Sequence, residues 1–170
     1  MRLGKLWVYI GRKGKDPLRP ILHQMDIPPT WLALHVAVAW GLSLVSPALF
    51  GDIGHWAGKL VFALGILLMA VAILTMARAR TTVIPRRDPS ALVTHGVFAW
   101  SRNPIYLADA LILTGAVLML DAVLALPLVA SFAWLIQARF IRDEEARLTL
   151  AFGPEFDLWA GRTRRWLGRK

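Results

Sequence analysis

Residues 56–77 read WAGKLVFALGILLMAVAILTMA, and Lys59, near the start, is their only charged residue. At about 1.5 Å of rise per residue, a helix of this length crosses a hydrocarbon core roughly 30 Å thick. Three further runs of comparable character flank it. Trp31 to Phe50 precedes it, introduced by Pro28 and Pro29 and closed by Gly51 and Asp52. Pro104 to Leu120 and Ala122 to Ile141 follow, separated by Asp121 alone, so they are expected to form a tight antiparallel hairpin. Pro127, near the start of the last run, is expected to kink it.

Composition agrees with this pattern. Of 170 residues, 56% are hydrophobic, against roughly 45–50% in an ordinary soluble domain. The placement of lysine and arginine sets an orientation. Residues 1–30 hold six of them and the turn before residue 60 holds only Lys59. Residues 78–103 hold five, the turn at Asp121 none, and residues 139–170 eight. A four-helix bundle spanning a membrane, all-α, with both termini cytoplasmic and a C-terminal cytosolic helical segment, explains this segregation. A soluble bundle has no reason for it. The expected location is the bacterial inner membrane, in several passes, with any active site facing the cytoplasm. The parts are a basic interfacial stretch 1–30, a first hairpin 31–77, and a region 78–170 that holds the second hairpin and a C-terminal lid.

Several classes are excluded or disfavoured. No cysteine is present, so disulfides, thiolate metal sites and a cysteine nucleophile are ruled out. The net charge of +9 points to anionic lipid rather than nucleic acid in a chain this apolar, because no nucleic-acid motif accompanies it. His23, His35, His55 and His95 have no ligand spacing, so no metal site is expected. The start of the chain does not read as a signal peptide: Leu6 to Ile10 is too short an apolar stretch. Trp7 and Tyr9 beside cations fit a segment lying among headgroups, and a basic tail is the alternative.

Chemistry concentrates around the second hairpin. Asn103-Pro104 reads as a helix start, an N-cap side chain followed by proline at the first helical position. Gly96 permits a turn or close approach. Arg102, Tyr106 and Asp109 are spaced by four and then three, and share a face if the helix extends to Arg102. Asp109 then sits inside the membrane helix, where an ionisable residue is costly unless paired or hydrated. It is read as a substrate-binding candidate or as a counter-ion to Arg102. The last run ends in Gln137, Arg139, Arg142, Asp143, Glu144, Glu145 and Arg147. Gln137 and Glu144 share a stripe with Glu145 beside it, either a ligand site or a solvated helix end. His35, inside the first run, is expected to bond a neighbouring helix. The tryptophans at 31, 56, 100, 134, 159 and 166 are expected mostly at membrane interfaces.

Two of these segments together resemble the isoprenylcysteine carboxyl methyltransferases and their relatives, the phospholipid N-methyltransferases. The first carries Thr94-His95-Gly96-Val97-Phe98 and Ser101-Arg102-Asn103-Pro104-Ile105-Tyr106. The second carries Glu144-Glu145, Leu148, Phe152-Gly153, Phe156, Trp159 and Arg165-Trp166-Leu167. The resemblance covers about half the chain, from Thr81 to Leu167. It implies S-adenosylmethionine as cofactor and a lipid or lipophilic methyl acceptor in the membrane. It places His95, Gly96, Arg102, Asn103, Tyr106, Glu144 and Glu145 at the cofactor, with Arg102 and Glu144 as the catalytic pair. Asp109 and Gln137 are the candidates for the acceptor. Asn103 departs from the family's usual histidine, and asparagine cannot serve as a base. The stretch from Ala151 to Lys170 is the candidate lid, bent at Gly153-Pro154. An NADPH-dependent membrane reductase and a non-catalytic membrane scaffold are the competing readings.

Overall fold

In a computed structural model, residues 26–82 and 89–170 are described. Most of the basic stretch 1–30, including Trp7, Tyr9 and His23, lies outside them, as do Arg86 and Arg87. The described residues form helices and no strand; one isolated bridge joins Thr163 to Arg169. In chain order the helices are α1 Pro28–Ser43, α2 Gly51–Arg78, α3 Pro104–Met119, α4 Leu126–Ile136, α5 Arg142–Phe152 and α6 Pro154–Arg162. A wide turn, Gln137–Ile141, joins α4 to α5 without a break, and a short tight turn, Gly96–Ala99, precedes α3.

Two helices, Gly51–Arg78 and Val123–Phe152, are long and apolar enough to cross a membrane, and α3 is a shorter apolar helix. The first apolar run stays helical for only part of its length: α1 starts at Pro28, with proline in its first turn, and ends at Ser43. Pro47 explains the early stop, because it disfavours helix at Ser46 and offers no N–H. The last run goes the other way and remains helical well past Ile141. Pro127 causes no kink, since it occupies the first turn of α4, where its missing N–H has no partner to lose. The helix departs from α geometry at Gln137–Ile141 instead.

Helices α2 and α3 pack with their backbones almost touching. A Cβ on Gly58 would lie 2.7 Å from the Met119 nitrogen, and one on Gly115 would lie 2.6 Å from the Phe62 nitrogen. Gly54 and Gly65 continue the contact along α2. This is how helices associate where no water drives them together: small residues admit close van der Waals approach. The opposite face of α2 exposes Ile53, Trp56, Leu60, Leu64, Leu67 and Leu74. So large an apolar surface has lipid as its natural solvent.

Asp121 holds the turn between α3 and α4, at φ +49°. Its carboxylate accepts hydrogen bonds from the backbone N–H groups of Leu49 (3.1 Å), Phe50 (2.8 Å) and Gly51 (3.0 Å). It thereby answers the orphan donors at the start of α2 and complements the positive end of that helix. Phe132, Phe140, Leu113, Ile136 and Ile141 fill the core among α1, α3 and α4. His35 joins this packing as expected, with Nε2 3.4 Å from the Ser131 hydroxyl of α4. A second cluster gathers Ala72, Val93, Phe98, Phe156 and Trp159. Trp159 is therefore buried, 8% exposed, and departs from the interfacial pattern expected of the tryptophans.

Candidate active site

Pro104 begins α3, and Asn103 occupies the position before it, but the Asn103 side chain does not cap the helix. Its Nδ2 donates instead to the Arg165 carbonyl at 3.0 Å, and its backbone N–H donates to the Ser101 hydroxyl at 3.1 Å. Two backbone bonds add to this seam: Arg102 N–H to the Arg164 carbonyl (3.0 Å) and Gly168 N–H to the Trp100 carbonyl (2.7 Å). The C-terminal turn is thus stitched to the mouth of α3. That polar atoms so close to a helix start find partners here follows from the cost of burying them unpaired.

Glu145 ties the seam together electrostatically. Its carboxylate lies 3.0 Å from an Arg102 guanidinium nitrogen and 2.6 Å from one of Arg165. Burial lowers the Arg102 guanidinium from its usual range; the Glu145 charge opposes this and the nearby Arg165 charge adds to it. Arg165 is raised, chiefly by its hydrogen bonds to Glu145. The alternative role of Asp109, as counter-ion to Arg102, is not found, because Glu145 takes the arginine. One helix turn further along α3, the Tyr106 hydroxyl donates to Glu144 Oε1 at 2.7 Å. The mouths of α3 and α5 therefore meet.

Between them opens a cavity of about 320 Å³. Its polar lining includes Thr81, Thr82, Arg102, Asn103, Tyr106, Asp109, Glu144 and Arg147. Its apolar walls come from Met69, Ile73 and Met76 of α2, from Leu92, Val93 and Phe98, and from Trp159 of α6. Trp159 is fixed by donating its indole N–H to the Phe98 carbonyl at 3.1 Å. Gly153, at φ +49°, makes the sharp break that folds α6 back over the cavity, a conformation open to glycine and strained for other residues. Such a mixture of apolar wall and few converging polar groups is the usual make-up of a small-molecule site.

Of the residues singled out in the sequence, Arg102, Asn103, Tyr106, Asp109 and Glu144 are brought together on this cavity. Glu145 stands behind it, gripping Arg102. Gln137 lies in the wide turn away from it and accepts a hydrogen bond from the Trp166 indole at 3.2 Å. His95 is exposed beside the Gly96–Ala99 turn, off the cavity lining, and Gly96 supplies the positive φ (+61°) that turn needs. Arg147 and Trp159, marked in the sequence only as helix-end and motif residues, also line the cavity, and the α2 wall is not marked there at all. A signal for the wall existed: Met69, Ile73 and Met76 recur at helical spacing on one face.

The donor set suits S-adenosylmethionine. The carboxylate of Glu144 suits a cationic group, guanidinium groups at Arg102 and Arg147 suit a carboxylate, and the Trp159 side suits a flat base. Two buried polar atoms on cavity residues, Thr81 Oγ1 and Arg102 Nε, have no hydrogen-bond partner among the described residues. Unanswered donors at a cavity fit a polar ligand.

Fold and site together define an α-helical protein with membrane-length helices and a cavity where two helix mouths join. The chain belongs to the phospholipid methyltransferase family, whose model matches residues 53–155. The match starts in α2 and ends at the first residues of α6, so it takes in all of the cavity's polar lining. Membership points to a methyltransferase acting on lipid-type acceptors, in a membrane setting that the two long apolar helices also indicate. No curated protein and no solved structure matches the chain.

Proposed function

We propose that this chain transfers a methyl group from S-adenosylmethionine to a lipophilic acceptor held in the membrane: a carboxylate, an amine or a thiol. The single observation that carries the reading is the Tyr106–Glu144 hydrogen bond. It joins two helix mouths distant in sequence into one cavity that has charge of both signs and an apolar wall.

Bound S-adenosylmethionine supplies a methyl group activated by its sulfonium charge. The protein's part is positioning and electrostatics, which carry most of the acceleration in a displacement of this kind. In this reading Glu144, oriented by the Tyr106 hydroxyl, holds the cofactor's amine or ribose hydroxyls. Arg102, anchored by Glu145, faces a carboxylate, and Arg147 adds a second positive group. Asn103 secures the C-terminal turn and moves no proton. Helix α6, hinged at Gly153, is the lid, with Trp159 excluding water. His95 and Gly96 belong to the rim, and Gln137 supports Trp166. Asp109 reaches toward the acceptor.

The same proposal includes a four-span bundle with both ends and the cavity mouth on the cytoplasmic side of a bacterial inner membrane. Its parts are a basic interfacial stretch 1–30, a first hairpin 31–77 and a cofactor region 78–170. The charge segregation supports it, as does the exposed apolar face of α2. The α2 wall of the cavity then gives the acceptor a sideways route from lipid. Membrane extracts incubated with tritiated-methyl S-adenosylmethionine and the purified protein are expected to yield label in the lipid fraction. Loss of that label in both Arg102→Ala and Glu144→Ala supports the assignment; full activity in both removes it.

A further inference from the structure

Among the cavity's carboxyl groups, Asp109 alone is left unanswered. Glu144 receives the Tyr106 hydroxyl. Asp109, 4% exposed and lining the cavity, makes no hydrogen bond or ion pair among the described residues. It sits three residues beyond Tyr106 on α3, so about 4.5 Å deeper along the helix. The groups around it are the Tyr106 phenol on its own helix, Glu144 and Arg147 of α5, and Arg102 at the mouth. Arg102 is committed to Glu145, and Arg147 shares the cavity without pairing with Asp109. Helix α2 brings only Met69, Ile73 and Met76, and the start of α1 only Pro28 and Pro29. A carboxyl this deep, beside an apolar wall and paired with no cation among the described residues, is costly to keep. A ligand carrying a positive charge supplies what the protein withholds.

We propose that Asp109 is the catalytic residue on the acceptor side: its carboxylate receives the proton that a lipid ammonium group sheds before its nitrogen accepts the methyl group. The inference rests on the methyltransferase reading above. In the step, an N–H bond of the ammonium breaks and its electron pair stays on nitrogen. An O–H bond forms on an Asp109 oxygen, so a charged pair becomes a neutral amine beside a neutral carboxyl. Methylation returns a positive charge to the nitrogen, and the Asp109 proton then leaves to water at the cavity mouth. An anionic acceptor meets repulsion from the same carboxylate, so Asp109 also sets the choice of acceptor.

The test compares the full-length protein in detergent with Asp109→Asn and Asp109→Glu. Three readouts are needed: binding of S-adenosylhomocysteine by calorimetry, thermal unfolding, and methyl transfer over the neutral to alkaline range. The acceptors are phosphatidylethanolamine and oleic acid, each in mixed micelles. Asp109→Asn is expected to bind S-adenosylhomocysteine as the wild type does and to unfold no earlier, having lost an unpaired charge. Its kcat on the amine lipid falls by about a hundredfold or more, and its rate climbs with pH as free amine accumulates. Asp109→Glu regains part of the rate. A kcat within about threefold of wild type and the same pH profile overturn the proposal while leaving the methyltransferase reading intact. Transfer to oleic acid in preference to the amine overturns it also, as does earlier unfolding of Asp109→Asn. Failure of the folded wild type to bind S-adenosylhomocysteine overturns both readings.

Discussion

Tyr106 and Glu144 stand 38 positions apart in the chain, yet the phenol of one donates to the carboxylate of the other at 2.7 Å. The bond is what makes two helix ends a single site. A hydrogen bond to a charged group contributes about 1.5–3 kcal/mol. Tyr106→Phe removes the hydroxyl and keeps the ring against Phe140, so the fold should persist. Methyl transfer is expected to drop about tenfold to a hundredfold, measured as kcat/KM for S-adenosylmethionine. Unchanged kinetics mean that Glu144 needs no orienting partner.

Glu145 is expected to matter for a different reason than its neighbour. Its two ion pairs close the seam between α3 and the C-terminal turn, and Arg102 is largely buried there. Removing one partner of such a pair strands the other charge, at a cost of about 3–5 kcal/mol. Glu145→Gln should therefore lower the unfolding midpoint and expose the bonds after Arg162, Arg164 and Arg165 to trypsin. Glu144→Gln should lose activity without either effect. Identical trypsin patterns for the two variants contradict the division of labour.

The contact between α2 and α3 admits no side chain at Gly115, where a Cβ would meet backbone atoms of Phe62 and Gly58 at 2.6 and 2.8 Å. Gly115→Ala should push the helices apart and destabilise the protein by about 1–3 kcal/mol. A Cβ on Gly161 would meet nothing within 4 Å, so Gly161→Ala should leave the melting temperature unchanged. Equal melting temperatures for the two variants refute the close-packed interface.

Asp121 predicts a pH effect. Its carboxylate is held below the ordinary value of 3.8, chiefly by the Phe50 N–H; desolvation opposes this, and the N–H groups of Gly51 and Leu49 add to the lowering. A depressed acid favours the folded state where it is ionised. The benefit is thus complete above the ordinary value and fades as pH falls from there through the lower folded value. Asp121→Asn should melt earlier than wild type near neutral pH, and the two curves should converge in acid. A gap that stays constant across the range rules out this helix-start contact as its source.

Much of the architecture is legible in the residues. The lengths of the runs around Leu64 and Pro104 forecast helices, Asn103-Pro104 marks a helix start, and Gly153-Pro154 marks a bend. Other features depend on partners that local sequence cannot name. Asp121 looks like a mere spacer until α2 is placed beside it. Asn103 looks like a cap until the Arg165 carbonyl arrives to claim its amide. The end of α1 at Ser43 turns on Pro47, whose influence reaches back to the residue before it. At the site, Tyr106 and Glu144 are foreseeable as neighbours only through the family resemblance. The α2 wall escapes because methionine and isoleucine on an apolar helix look the same toward lipid as toward a cavity.

The central claim is that this cavity takes S-adenosylmethionine, and calorimetric titration of the detergent-purified protein tests it most directly. S-adenosylhomocysteine should bind saturably to the wild type and about tenfold or more weakly to Glu144→Gln, while NADPH should not bind. Binding of NADPH, or no binding of S-adenosylhomocysteine by a folded sample, contradicts the account.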